Sequence, residues 1–181
     1  MTGAPVTQAD PMLQRMLGAL RMDTATYEEV EKDKTATGQA AFIVVATSAV
    51  AGAVSFALTG VGGAGDGILG AIGALIGWAV YAWLAYFLGT KLFAAPETKS
   101  DWGEVARTLG FASTPRFLYV FALIPGIAPI VQVVVGIWAL IATIVALRAA
   151  LDCSTLRAVL IGIAASIAQV IIFGIALSIF A

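Results

Sequence analysis

Four carboxylates fall within six consecutive positions: Glu28, Glu29, Glu31 and Asp33, with Tyr27 just before them and Val30 among them. Carboxylates this close could hold a divalent ion or share a proton in acid/base work. Neither calcium-loop spacing nor a catalytic partner accompanies them, and Lys32 and Lys34 lie alongside, so a solvated face suited to protein docking is the better reading. Trp102 and Arg107 are assigned to the same candidate docking face. The run Gly60, Gly62, Gly63, Gly65, Gly67 and Gly70 could present bare amides to an anion. No Lys-Ser/Thr follows it and Asp66 would repel phosphate, so a flexible hairpin fits better. Arg116, Gln132 and Gln169 are the polar residues set deepest among apolar neighbours, where each needs a partner or a wet cavity. Arg116 could snorkel to the membrane edge or meet Asp152.

Other chemistry is narrowly bounded. His is absent, which removes the usual base near neutral pH and the commonest metal ligand. Cys153 is the single cysteine, so neither an internal disulfide nor a cysteine-built zinc site can form; acylation at a membrane edge is open to it. No nucleophile, base and oxyanion donor assemble, so no catalytic residue, metal or cofactor is expected. Eleven acidic residues against ten basic ones leave no basic field for nucleic acid.

These residues are positioned by apolar segments of membrane-spanning length. At 60% apolar and 12% charged residues, the chain does not fit a soluble domain. Thr37 to Leu58, Ile68 to Leu88, Ile130 to Leu147 and Leu156 to Ile179 match the roughly 20 residues that a ~30 Å hydrocarbon layer requires. Between them, Thr108 to Ile124 reads either as a short bent span or as a re-entrant segment. The Lys and Arg positions choose the span. Arg15, Arg21, Lys32 and Lys34 precede the first apolar run; Lys91, Lys99, Arg107 and Arg116 follow the second; Arg148 and Arg157 sit before the last. Five crossings put all of these on the cytoplasmic side, with the C-terminus outside. The fold class is therefore all-α: a polytopic bundle of five transmembrane helices (36–181) behind a cytoplasmic segment (1–35).

Within that segment, Asp10 and Pro11 read as an N-cap and first helical position, and Met12, Leu13, Met16, Leu17 and Leu20 share one face of an interfacial amphipathic helix. Thr26 with Glu29, and Asp101 with Glu104, have capping-box spacing, and Gly89 reads as a helix end. Gly70, Gly73 and Gly77, and Gly162 with Ser166, form small-residue strips for close helix packing, within one chain or between copies. Trp83, Tyr86 and Phe87 read as interface anchors.

The strings Tyr27-Glu28-Glu29-Val30-Glu31, Ala36-Thr37-Gly38-Gln39-Ala40, Leu88-Gly89-Thr90-Lys91-Leu92 and Arg107-Thr108-Leu109-Gly110-Phe111-Ala112 with Pro115 resemble the bacterial and archaeal branch of the Yip1-domain membrane proteins. Ile137-Trp138 and Ala146 through Asp152 extend the likeness, which covers roughly residues 20 to 180 in consistent order. The resemblance implies a five-helix membrane domain with a cytoplasmic N-terminus. In eukaryotic members it also implies Rab GTPase partners and membrane traffic, but this chain lacks their long N-terminal region. A non-enzymatic interaction or scaffold protein of a prokaryotic cytoplasmic membrane follows, with lipids and a membrane or peripheral protein as partners. The alternative is a small transporter or lipid-binding protein built on Arg116, Gln132 and Gln169.

Overall fold

A computed structural model describes residues 11–94 and 98–180, the side chains of Ala64 and Phe180 excepted. Asp10, the expected N-cap, lies outside the described residues. Among the described residues, seven α-helices run in order: α1 (Pro11–Leu20), α2 (Thr24–Lys32), α3 (Ala36–Thr59), α4 (Ala64–Phe87), α5 (Trp102–Phe111), α6 (Ala128–Ala150) and α7 (Thr155–Phe180). Four of these, α3, α4, α6 and α7, are long and apolar enough to cross a membrane. Their most apolar stretches are only 17% to 28% buried. Phe42, Ile72, Ile137 and Ile163 face outward, as side chains do when lipid is the solvent.

The interior is built from shorter, more polar pieces. α5 packs against α2, α3, α4 and α6, and every residue from Val105 to Phe111 is buried. It starts where the sequence indicates: the Asp101 carboxylate accepts from the Glu104 amide at 2.9 Å while the Glu104 carboxylate accepts from the Asp101 amide at 2.9 Å. It stops because Pro115 has no N–H to give the Phe111 carbonyl, which accepts instead from the Thr114 hydroxyl at 2.6 Å. The chain then continues as a ten-residue 3-10 helix, Thr114–Leu123, wedged between α3 and α6.

Two expected boundaries move. α2 begins at Thr24, capped by Asp23, whose carboxylate accepts from the Ala25 amide at 3.2 Å; Thr26 lies inside the helix and donates to Asp23 at 3.0 Å. Gly89 does not end α4, because the helix widens into a π-helical turn, Leu88–Leu92, and Gly89 is buried against Leu151. At the opposite end of the bundle, α3 does close on a glycine. Gly60 has φ +69° and returns its amide to the Phe56 carbonyl at 2.8 Å.

The N-terminal helices share the main core, since Ala19, Tyr27 and Val30 are fully buried in the same apolar cluster as Ala82, Val105, Ala146 and Ala158. Met12 and Met16 turn toward that core while Leu13 and Leu17 remain exposed, so the apolar stripe of α1 is divided between two environments. The Trp138 indole on α6 donates to the Leu20 carbonyl at 2.9 Å, holding the α1–α2 turn against the bundle.

Candidate functional site

The residues assigned to a docking face divide into two groups. Tyr27 and Val30 pack inward because they recur on one side of α2, and the Tyr27 hydroxyl donates to the Ala19 carbonyl at 3.3 Å. Burial holds that phenol in its neutral form, far above its usual range. Arg107, expected at the surface, is only 4% exposed. Its Nε lies 3.2 Å from both the Val30 and Glu31 carbonyls, and its Nη2 also donates to the Glu31 carbonyl. The guanidinium thus caps the C-terminal end of α2, where carbonyls lack helical partners and the helix dipole favours a cation. Glu31 is buried beside it, and burial, reinforced by the charges of Glu104 and Asp152, pushes its carboxyl up to about 7.

Outside this clamp the polar residues face solvent. Asp33 is held down to about 2, chiefly by hydrogen bonds from Thr35 and next by one from Arg15. Arg15 reaches Asp33 at 2.6 Å and Glu29 at 2.8 Å, and donates to the Gln39 side chain at 3.2 Å, tying α1, α2 and α3 together. Glu28 is exposed, and Trp102 is partly so while donating to the Ala79 carbonyl at 3.3 Å. Among the described residues, no group of three carboxylates or thiols is arranged to hold a metal ion.

The second site is an open cleft between the helices, in which Arg116 is exposed. Arg116 faces a cavity of about 680 Å³ lined also by Thr47, Ser48, Tyr81, Ser113, Tyr119, Thr143, Ser166 and Gln169. Thr47 and Ser48 stand near the middle of α3, and Gly77 and Gln169 near the middle of α4 and α7. Among the described residues Arg116 makes no ion pair with Asp152; the 3-10 helix carries it past the end of α5 to this cavity. The Gln169 amide donates to the Gly77 carbonyl at 2.7 Å. Gln132, grouped with Arg116 from sequence, lines a neighbouring cavity of about 390 Å³ with Ser55, Thr59 and Ala122. Tyr119 and Ala51 form walls of both cavities.

The small-residue strips are used selectively. A Cβ on Gly77 would stand 3.5 Å from Gln169, and one on Gly162 would stand 3.4 Å from Leu147, ordinary contacts. At Gly70 and Gly73 it would meet nothing within 4 Å, although Ser48 donates to the Gly70 carbonyl at 3.3 Å; Ser166 donates within its own helix to Gly162 at 2.8 Å. One close approach, against backbone as well as side chain, is missed by spacing rules: a Cβ on Gly110 would stand 2.6 Å from the Ala40 Cβ and 2.9 Å from its Cα. Also missed were the buried guanidinium of Arg107 and the carbonyl bonds of Trp78 and Trp138, which single-residue composition does not reveal.

Neither a curated protein nor a solved structure matches the chain. A family model for the Yip1 domain matches residues 17–177, a span that takes in α2 through the body of α7, the buried α5 and both cavities. On that match the chain belongs to the Yip1 domain family, a family of non-enzymatic, multi-pass membrane proteins.

Proposed function

We propose that this protein organises a membrane by presenting a rigid cytoplasmic surface, formed by α1, α2 and the start of α5, to a membrane or peripheral protein. The Arg107 clamp carries this reading. A charge buried to hold a helix end fixes α2 in one pose, and a fixed pose lowers the ordering cost of docking. Glu28, Glu29 and Lys32 then form the exposed rim, with Trp102 beside it. The exposed Leu13 and Leu17 suit α1 to the lipid interface.

The reading includes five crossings of a prokaryotic cytoplasmic membrane, with α5 and the 3-10 helix together as the third. From Thr108, four α-helical residues rise about 6 Å and ten 3-10 residues about 20 Å, which brings a bent path close to ~30 Å of hydrocarbon. Tyr119 and Ala122 share a cavity with Leu58 and Thr59 at the far end of α3, which supports completion of that path. A reporter fused after Ala181 should be extracytoplasmic; cytoplasmic activity would rule out the topology. A photo-crosslinking residue at Glu28 should capture one discrete protein adduct that Glu29→Lys removes. An adduct unaffected by that charge reversal would discard the surface.

A further inference from the structure

We propose that the cavity around Arg116 is a binding site for a phosphate ester anion. This goes beyond the docking surface and stands independently of it, because it uses residues from the opposite, intramembrane part of the fold. The starting observation is an uncompensated charge. Among the described residues the ion pairs are those of Arg15, and no Asp or Glu lines the Arg116 cavity. A cation at membrane depth is costly unless an anion or water meets it.

The hydrogen-bond pattern narrows the ligand. Around the cavity, Thr47, Ser113, Thr143 and Ser166 donate their hydroxyl protons to carbonyls of their own helices. Tyr81 donates to Gly162, and Gln169 to Gly77. Among the described residues, the Arg116 guanidinium and the Tyr119 hydroxyl have no such partner. The 3-10 geometry brings these two together. Residues three apart eclipse one another in that helix, so Ser113, Arg116 and Tyr119 lie along one side, and all three line the cavity. A guanidinium fork with a phenol one turn away matches an anion offering several oxygens, as phosphate does. The surrounding hydroxyl oxygens, their protons engaged, accept from the alcohol or ammonium groups that phosphate esters carry.

Two routes lead to the site. Gly136 and Leu140 on α6 and Ser166 on α7 line the cavity and are exposed, and beyond Ala165 no described residue of α7 is buried. That side admits a lipid whose tails remain in hydrocarbon. The Gln132 cavity, which shares the Tyr119 and Ala51 walls with the first, reaches toward Thr59, and movement of the Tyr119 ring would admit a soluble phosphate.

The test uses the full chain in a neutral maltoside micelle, titrated separately with phosphatidylglycerol, read by native mass spectrometry, and with inorganic phosphate, read as a rise in the thermal midpoint. Arg116→Gln should weaken whichever anion binds by at least about tenfold, Arg116→Lys by less, and Tyr119→Phe by a few-fold. Response to phosphatidylglycerol alone assigns a lipid source, and response to phosphate alone assigns a soluble one; either supports the site. Equal binding by wild type and a folded Arg116→Gln chain overturns it, as does no response to either anion. If Arg116→Gln fails to fold, unchanged binding in both Arg116→Lys and Tyr119→Phe overturns it instead. Glu29→Lys should leave this binding intact, which keeps a failure here separate from a failure of the docking surface.

Discussion

Arg107 and Arg116 stand nine residues apart, yet the fold treats the same side chain in opposite ways. Arg107, on α5, is buried and its charge is satisfied by the carbonyls that end α2. Arg116 faces a roomy, hydroxyl-lined space and makes no hydrogen bond or ion pair there among the described residues. Pro115 separates the two cases. By stopping α5 it changes the periodicity of the chain, and the side-chain row that follows no longer continues the buried face. A cation in this fold is therefore structural where a helix end supplies the oxygens, and available for a ligand where the hydroxyls around it mostly donate to the backbone and the Tyr119 hydroxyl is left over.

The largest expected effect tests that contrast directly. Arg107→Ala should lower stability by about 3 kcal/mol, since it removes charge-assisted bonds and strands two buried carbonyls. Denaturant titration in micelles measures the loss, and proteolysis within residues 20–35 should accelerate. Arg116→Ala should shift stability by no more than about 0.5 kcal/mol; a loss equal to that of Arg107→Ala would erase the contrast. Gly110→Ala should cost about 1–3 kcal/mol by forcing α5 away from Ala40, because that is the range for overpacking a filled contact. It would loosen the Arg107 clamp without touching the arginine.

A fourth change sharpens the electrostatics around the clamp. Because the folded chain raises the Glu31 carboxyl from its ordinary 4.5 to about 7, it binds the proton more tightly than the unfolded chain. That stabilisation is complete below about pH 4.5 and disappears as pH rises through about 7. Glu31→Gln should then raise the thermal midpoint at pH 8 and leave it nearly unchanged at pH 4; an equal shift at both values would discard the assignment. The smallest effect is expected at Gly73, where a methyl meets nothing within 4 Å and helix propensity favours Ala by about 0.5–1 kcal/mol. Gly73→Ala should be neutral to slightly stabilising in a single chain.

The long helices were legible because a membrane-spanning helix advertises itself by length and apolarity, and α3, α4, α6 and α7 start and stop within a few residues of the expected limits. The capping box at Asp101 was legible for the same local reason. Arg107 was not, since the oxygens that receive it come from a helix more than 70 residues earlier, and nothing near Arg107 in the chain marks it as buried. Gly110 escaped because its partner is a lone Ala40 and no second glycine stands four residues away. Arg116 and Gln169 were legible as polar residues that share a cavity, but their separation from Gln132 depends on where Tyr119 divides the space.

The bonds from Arg107 to Glu31 and from Trp138 to Leu20 join positions 76 and 118 residues apart. During synthesis the chain emerges N-terminus first, so α1 and α2 leave the ribosome well before the groups that will hold them exist. The first helices made are thus among the last to be seated. Until α5 and α6 have folded into place, the Tyr27 and Val30 face must wait without its permanent cover, and biogenesis, rather than the finished fold, is where these two helices are most exposed.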